Sequence, residues 1–167
     1  VDEQQGDLGV LELVQIVNSG DRTFVPDLDA TVSELPALVR FDLPDGYREL
    51  SVESNLPSRS VFEEALGFSL FSPVPPGEYQ ILYSYAIRYE GDQLTFTRSF
   101  PYGANEARIL VPPSFDQVDG EGLEPGAEAT IGASVYNVWR GIAYPRSARV
   151  TVQLSGLPTA TFFERVD

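Results

Sequence analysis

The feature that most constrains the fold is the two-residue period of large apolar side chains along residues 79–89. Tyr or Ile occupies every second position, and the residues between them form a more polar set. A strand places alternate side chains on opposite faces, whereas a helix would distribute these aromatic rings around its circumference. The segment is therefore predicted to be a β-strand with one apolar face. Residues 90–93 have turn composition and residues 94–100 alternate again, which predicts a β-hairpin.

Fourteen Gly and thirteen Pro divide the rest of the chain into short segments. Further strands are predicted in these segments, at residues 8–18, 38–43, 47–53, 67–71, 107–111, 129–139 and 148–154. The last two are expected to pair with each other. Residues 58–66 are the one predicted helical turn, because apolar residues recur there at helical spacing. About nine or ten short strands with almost no helix are typical of an antiparallel β-sandwich.

The length of 167 residues, with 43% hydrophobic and 22% charged side chains, fits one globular domain. We expect a single domain over residues 1–167, with residues 112–127 as a long loop inside it. The chain begins at Val1 rather than Met, which indicates a processed chain or a fragment. A flanking anchor or further domains would then lie outside it. No apolar run approaches the roughly 18 residues of a membrane-spanning helix, so no direct membrane contact is expected within the chain.

Several residue types that carry much of protein chemistry are missing. Cys, His and Met are absent, and all eleven basic residues are Arg, so Lys is absent too. This excludes the usual zinc sites, the Ser-His and Cys-His nucleophile pairs, and Schiff bases. The nearest approaches to a hydrolytic carboxylate pair are Glu63 with Glu64 and Glu90 with Asp92, and adjacent acids mostly lie on surfaces. We therefore expect no catalytic residue and no enzyme activity.

The charge balance is strongly acidic, with a formal net charge of -14 and a pI of about 4.2. Such a chain repels nucleic-acid phosphates and anionic lipid surfaces, and its Arg residues are scattered rather than clustered. Nucleic acid is therefore not expected among the partners. Basic residues restricted to Arg, beside abundant Pro, also fit a thermostable protein.

One acidic segment offers a calcium site. Asp116, Asp119 and Glu121 place three carboxylates within six residues, beside two Gly. Oxygen ligands on a flexible backbone are what Ca²⁺ requires. The alternative is a solvated acidic turn, because the segment lacks the helices and the final Glu of the twelve-residue calcium loop. A second, weaker cluster of the same kind consists of Asp27, Asp29 and Glu34.

The densest aromatic stretch of the C-terminal half is a candidate ligand site. It contains Tyr136, Trp139, Arg140 and Tyr144. Exposed Trp and Tyr can stack on sugar rings while Arg bonds sugar hydroxyls. The alternative is that Trp139 fills the core between two sheets, as a single Trp often does in sandwiches. A two-residue period supports that alternative, because it places Trp139 in phase with apolar residues at positions 131, 133 and 135.

Three short motifs resemble bacterial extracytoplasmic modules. They are Val-Gln-Ile-Val-Asn-Ser-Gly-Asp at residues 14–21, Val-Pro-Pro-Gly-Glu-Tyr-Gln-Ile at 74–81, and Leu-Glu-Pro-Gly-Ala-Glu-Ala-Thr-Ile at 123–131. They are similar to strand ends and strand entries of immunoglobulin-like, fibronectin-like and carboxypeptidase-regulatory-like β-sandwich modules of envelope proteins. The resemblance implies an immunoglobulin-like or fibronectin-like sandwich. It also implies an extracytoplasmic location, secreted or on the cell surface.

The function expected from this resemblance and from the missing reactive residues is non-catalytic. The chain is expected to be a structural or protein-interaction module of a bacterial envelope or surface protein, with other envelope proteins or copies of itself as partners. In one version it is a self-assembling surface or filament subunit, whose residues 160–166 pair with a neighbour's exposed strand. The alternative is a carbohydrate-binding module with a structural calcium ion.

Overall fold

The chain is all-β in the part that the structure describes. A computed structural model describes residues 5–25, 39–58, 60–115 and 117–159. These residues contain thirteen strands and no helix, and the strand pairs for which a register is defined are antiparallel. The all-β, antiparallel class predicted from the sequence is therefore confirmed. A membrane-spanning helix is likewise not found among the described residues.

The strands are numbered β1 to β13 in chain order. Their bounds are β1 Gln5–Asn18, β2 Val39–Asp42, β3 Arg48–Ser54, β4 Ser60–Glu64, β5 Gly67–Phe71, β6 Gly77–Glu90, β7 Gln93–Phe100, β8 Ala104–Val111, β9 Gln117–Gly120, β10 Glu124–Pro125, β11 Ala129–Ile131, β12 Ser134–Tyr144 and β13 Ala148–Ser155.

The chain divides into two compact units. We call Leu8–Ile87 the N-terminal unit, and Val1–Asp7 with Arg88–Asp167 the C-terminal unit. The division falls within β1 and within β6. The single domain expected from the chain length stays a prediction. Residues 112–127, expected as one long loop, include the short strands β9 and β10.

The N-terminal unit is built around β6. Both β1 and β3 pair with β6, and β3 does so from Ser54 opposite Ile81 to Arg48 opposite Ala86. A register irregularity between Arg48 and Ser51 interrupts this pairing, and Glu49 has a positive φ of 57° there. A second sheet of this unit has the order β2-β5-β4.

The apolar face of β6 forms the core of the N-terminal unit, as its alternation predicted. Ile81, Tyr83 and Tyr85 are all buried. Phe41 of β2 and Phe68 of β5 stack with ring centroids 4.8 Å apart. Tyr83 meets Phe68 edge-on at 5.0 Å, a favoured arrangement of aromatic rings. The β6 face and the β2-β5-β4 sheet therefore share one aromatic core.

The helical turn predicted at residues 58–66 is wrong. Ser60–Glu64 is strand β4, which pairs with β5 in continuous antiparallel register. All five of its side chains are exposed, so no apolar face defines its period. The hydrogen bonds to the buried neighbour β5 decide its conformation, and tertiary context overrides a short local pattern.

The C-terminal unit contains the turn of the predicted hairpin, with the last three residues of β6 and the whole of β7. Glu90 pairs with Gln93 across a two-residue turn, in which Gly91 has a φ of 65°. A left-handed residue at this position is typical of tight hairpin turns and favours Gly. Next to β7 lie β13 and then β9, in the order β7-β13-β9. The hairpin prediction is confirmed.

The pairing predicted for residues 129–139 and 148–154 is wrong. The first segment is itself a hairpin, because the chain turns at Gly132, whose φ is 61°, and Ile131 pairs with Ser134. Strand β12 then continues to Tyr144 and pairs with β8, β10 and β11. Strand β13 pairs instead with β7 and β9. The local pattern identified strand residues but could not identify their partners.

Candidate functional site

The predicted sugar site is divided between the two faces of β12. The strand pairs regularly with β8 from Asn137 to Ile142, so its side chains alternate there. Trp139 lies in one row with Ile109 of β8 and Pro125 of β10, and it is half-buried. Arg140 points to the opposite face, next to Arg108. Tyr136 shares the Arg140 face by the same alternation.

The fourth residue, Tyr144, packs back over its own strand. Ala143 has a positive φ of 57°, which breaks the alternation of β12. The Tyr144 ring then covers Gly141, where an added Cβ would overlap it, and stacks on Phe100 with centroids 4.6 Å apart. Its hydroxyl is buried without a hydrogen-bond partner among the described residues, and burial raises its pKa. Tyr144 is thus a packing residue on the face that carries Trp139.

Arg140 belongs to a charged cluster rather than to an aromatic platform. Arg140 and Arg108 are cross-strand neighbours, and both donate to the carboxylate of Glu106. The Arg140 contact measures 2.9 Å. Hydrogen bonds from Arg140 and then Arg108 lower the pKa of Glu106. The carboxylate offsets the repulsion between two like charges on adjacent strands.

The proposed calcium ligands have different environments. Asp119 lies in β9 opposite Gln153, and its carboxylate accepts a hydrogen bond from the Gln117 side chain. Glu121 lies exposed in the turn after β9. Asp116 is outside the described residues. Within the described ranges, no group of three or more acidic side chains could hold a metal ion. The second cluster also lies outside the described residues: Asp27, Asp29 and Glu34.

A cluster of polar side chains connects β4 to the other strands of its sheet by hydrogen bonds. The Glu64 carboxylate accepts hydrogen bonds from the Ser69 hydroxyl of β5 and from Arg40 of β2, the latter at 2.8 Å. The Ser69 hydrogen bond, with Arg40 adding to it, lowers the pKa of Glu64 against the effect of burial. The hydroxyl of Tyr47 donates to the Glu64 carbonyl at 2.8 Å.

This cluster borders a groove of about 320 Å³, but its chemistry is unsuited to nucleophilic catalysis. Ser69 is completely buried, so its hydroxyl cannot reach a substrate. Glu64 has a lowered pKa, which makes it a weaker base. Burial and the neighbouring Glu63 carboxylate raise the pKa of Tyr47, which keeps its phenol protonated. The hydrogen bonds of the cluster hold β4 to β2 and β5.

One exposed apolar feature of the N-terminal unit is a row of side chains on β1. Leu11, Leu13 and Val17 are 69%, 61% and 57% exposed. The alternate residues of β1 are half-buried, and among them Glu12 accepts hydrogen bonds from Tyr83 and Tyr85 in the core. The odd-numbered positions of β1 therefore form its outer face.

The outer row continues onto the neighbouring strands. A groove of about 630 Å³ is lined in part by Leu13, by Gln80 and Leu82 of β6, and by Glu53 of β3. Leu82 and Glu53 face each other in register, and the Gln15 side chain donates to Glu78 at 3.2 Å. We call the side chains of Leu11, Leu13, Val17, Leu82, Glu53 and Glu78 the outer β1 surface. Its chemistry is an apolar strip edged by carboxylates.

Sequence reasoning missed the outer β1 surface. Residues 8–18 were recognised as a strand, but both alternate sets of that strand contain Leu, Val or Ile. A strand that is apolar on both faces gives no sign of which face is buried. The polar residues give opposite indications, because Glu12 belongs to one set and Gln15 to the other. The acid would be expected in solvent, but the structure places it on the inner face beneath two phenols.

The described residues form an all-β structure with antiparallel sheets. Comparison with protein-family models found no match. Searches of curated proteins and of solved structures also found no similar protein.

Proposed function

We propose that the chain is a non-catalytic structural or protein-interaction module of a bacterial envelope or surface protein. In this proposal the chain folds as an immunoglobulin-like or fibronectin-like β-sandwich, and it is located outside the cytoplasm. The observation that carries the interaction role is the row of exposed Leu11, Leu13 and Val17 on β1. Gln15 interrupts the row between Leu13 and Val17, and clustered apolar surface on a folded chain commonly marks an interaction site.

Two further observations support a binding role over an enzymatic one. The clusters of polar side chains around Glu64 and Glu106 are internally satisfied by hydrogen bonds. His, Cys and Lys, which supply many nucleophiles and general bases, are absent. Surface shape and strand edges are then the remaining means of recognition.

Site-specific photo-crosslinking in the native envelope tests this proposal. A photoreactive residue replaces Leu13 in the full-length gene product, and a matched protein carries it at Glu121, an exposed position in the C-terminal unit. We expect discrete protein adducts from position 13 and none of the same mass from position 121. Equal labelling at both positions would contradict the proposal.

The carbohydrate alternative is tested with the purified chain on a glycan panel. We expect no saturable binding, because Trp139 and Arg140 lie on opposite faces of β12. Saturable binding that is lost in Trp139→Ala, or a melting temperature lowered by EDTA, would replace the interaction role with a sugar- or calcium-binding role.

A further inference from the structure

We propose that β1 is a docking edge for an extended, cationic segment of a partner protein, which joins the sheet as an added strand. This inference rests on the proposed interaction function and names the chemistry of the partner. Three properties of the N-terminal unit support it: the position of β1 in its sheet, the apolar row beside its edge, and the carboxylates on the same face of the sheet.

The first property is the edge itself. Strand β1 stands at one end of its strand order, and the strands that the structure describes place only β6 beside it. Natural sheets usually protect such an edge with Pro, with charged side chains or with a bulge. The fourteen residues of β1 include no Pro and two charged residues, Asp7 and Glu12, and the Glu12 carboxylate points inward to Tyr83 and Tyr85. A long edge without Pro, whose outer face carries Leu11, Leu13 and Val17, is suited to pairing with another chain by main-chain hydrogen bonds.

The second property is the apolar row. A strand added beside β1 would place alternate side chains next to Leu11, Leu13 and Val17, because cross-strand neighbours share a face. These three side chains are more than half exposed in the isolated chain. The added strand would cover them with its own apolar residues. Recognition would then combine main-chain pairing with side-chain contacts on one face.

The third property is charge, and it selects the partner. Glu78 of β6 lies on the same face as the apolar row, one strand away from β1. Glu53 of β3 lies on that face one strand further on, and the whole chain carries a formal charge of -14. A second copy of this chain would bring the same negative charge to the interface, which opposes self-association. A segment that alternates apolar residues with Arg or Lys complements both the strip and its acidic margin.

The test uses synthetic peptides and the full 167-residue chain. The probe is a fluorescent peptide of about ten residues, a length typical of a longer strand, that alternates valine with arginine. One comparison peptide replaces arginine with glutamate, and another keeps the composition but carries proline at two central positions. Binding is measured by fluorescence anisotropy in about 0.1 M NaCl, where distant charges are screened. We expect saturable binding of the first peptide only.

Variants of the chain separate strand addition from general charge attraction. We expect Leu11→Ser with Leu13→Ser to weaken peptide binding by about tenfold, the scale of a lost interface anchor. Glu53→Gln with Glu78→Gln should weaken it less, by about threefold, since these charges are exposed. Glu121→Gln with Glu124→Gln removes the same charge from exposed positions of the C-terminal unit and should leave the affinity unchanged. Thermal unfolding confirms that each variant is folded.

Several results would overturn the inference. One is equal weakening by the Glu121/Glu124 pair and the Glu53/Glu78 pair, which would indicate unspecific attraction. Another is binding of the proline peptide as tight as that of its parent, which would exclude strand addition. A Leu13-dependent dimer in light scattering would assign the surface to a second copy. If photo-crosslinking at position 13 succeeds while the cationic peptide does not bind, the interaction function stands and this choice of partner fails.

Discussion

At the scale of single residues, Gly141 shows how one missing side chain permits a packing arrangement. The Tyr144 ring occupies the space that a Cβ on Gly141 would need, and it stacks on Phe100 at 4.6 Å. Any larger residue at 141 must displace this ring. The exposed Gly9 of β1 offers a comparison, because an added Cβ there meets nothing within 4 Å.

We therefore expect Gly141→Ala to lower the free energy of unfolding by about 1–3 kcal/mol, the usual cost of overfilling a packed site. Gly9→Ala should be neutral or slightly stabilising, because Ala restricts the unfolded chain. Urea denaturation of both variants measures the difference. The cost of Gly141→Ala should shrink in a Tyr144→Ala background, and an unchanged cost there would show that the ring is not responsible.

At the scale of elements, Glu12 links β1 to the buried face of β6. Its carboxylate accepts hydrogen bonds from the hydroxyls of Tyr83 at 2.6 Å and Tyr85 at 2.5 Å. Both tyrosines are almost completely buried. Buried phenols need hydrogen-bond partners, so one acid on β1 serves two rings of the core.

Glu12→Ala is expected to lower the free energy of unfolding by about 2–4 kcal/mol, because it removes an acceptor that two buried hydroxyls share. Glu53→Ala on the exposed face of β3 should change it by less than about 0.5 kcal/mol. Chemical denaturation in a Tyr83→Phe, Tyr85→Phe background provides the decisive comparison. The cost of Glu12→Ala should be largely abolished there; the same cost in both backgrounds would refute the link.

At the scale of the whole molecule, the formal charge of -14 opposes the compact state by self-repulsion. Added salt should therefore stabilise the fold. The screening length falls from about 30 Å at 0.01 M to about 8 Å at 0.15 M ionic strength. We expect the melting temperature to rise over this range by about 2–4 °C for each kcal/mol of repulsion removed, as measured by calorimetry.

A charge-reduced variant serves as the control for this salt effect. Glu121, Glu124 and Glu128 are exposed, so replacing them with Gln removes charge without disturbing packing. The variant should show a smaller dependence of the melting temperature on salt. A melting temperature that falls with salt, or an equal dependence in both proteins, would mean that specific ion pairs outweigh the general repulsion.

The success of the sequence-based predictions depended on how local each interaction is. The β6-β7 hairpin was predictable because its alternation and its turn lie within one continuous segment. Strand β4 was not, since its five side chains are exposed and only pairing with β5 defines it. The candidate sugar site was recognised as a group of residues. The separation of Trp139 from Arg140 follows from the alternation of β12. The position of Tyr144 on the Trp139 face depends on the positive φ of Ala143, which no local pattern predicts.

The sequence by itself determined the all-β class, the strands with a clear two-residue period, and the absence of His, Cys and Lys chemistry. These properties follow from composition and from side chains a few positions apart. Outside the β6-β7 hairpin, tertiary structure alone decided which strands pair, and it decided which face of β1 is covered. Both faces of β1 are apolar, and only the position of Glu12 beneath Tyr83 and Tyr85 selects the inner one. The exposed row of Leu11, Leu13 and Val17 follows from that selection.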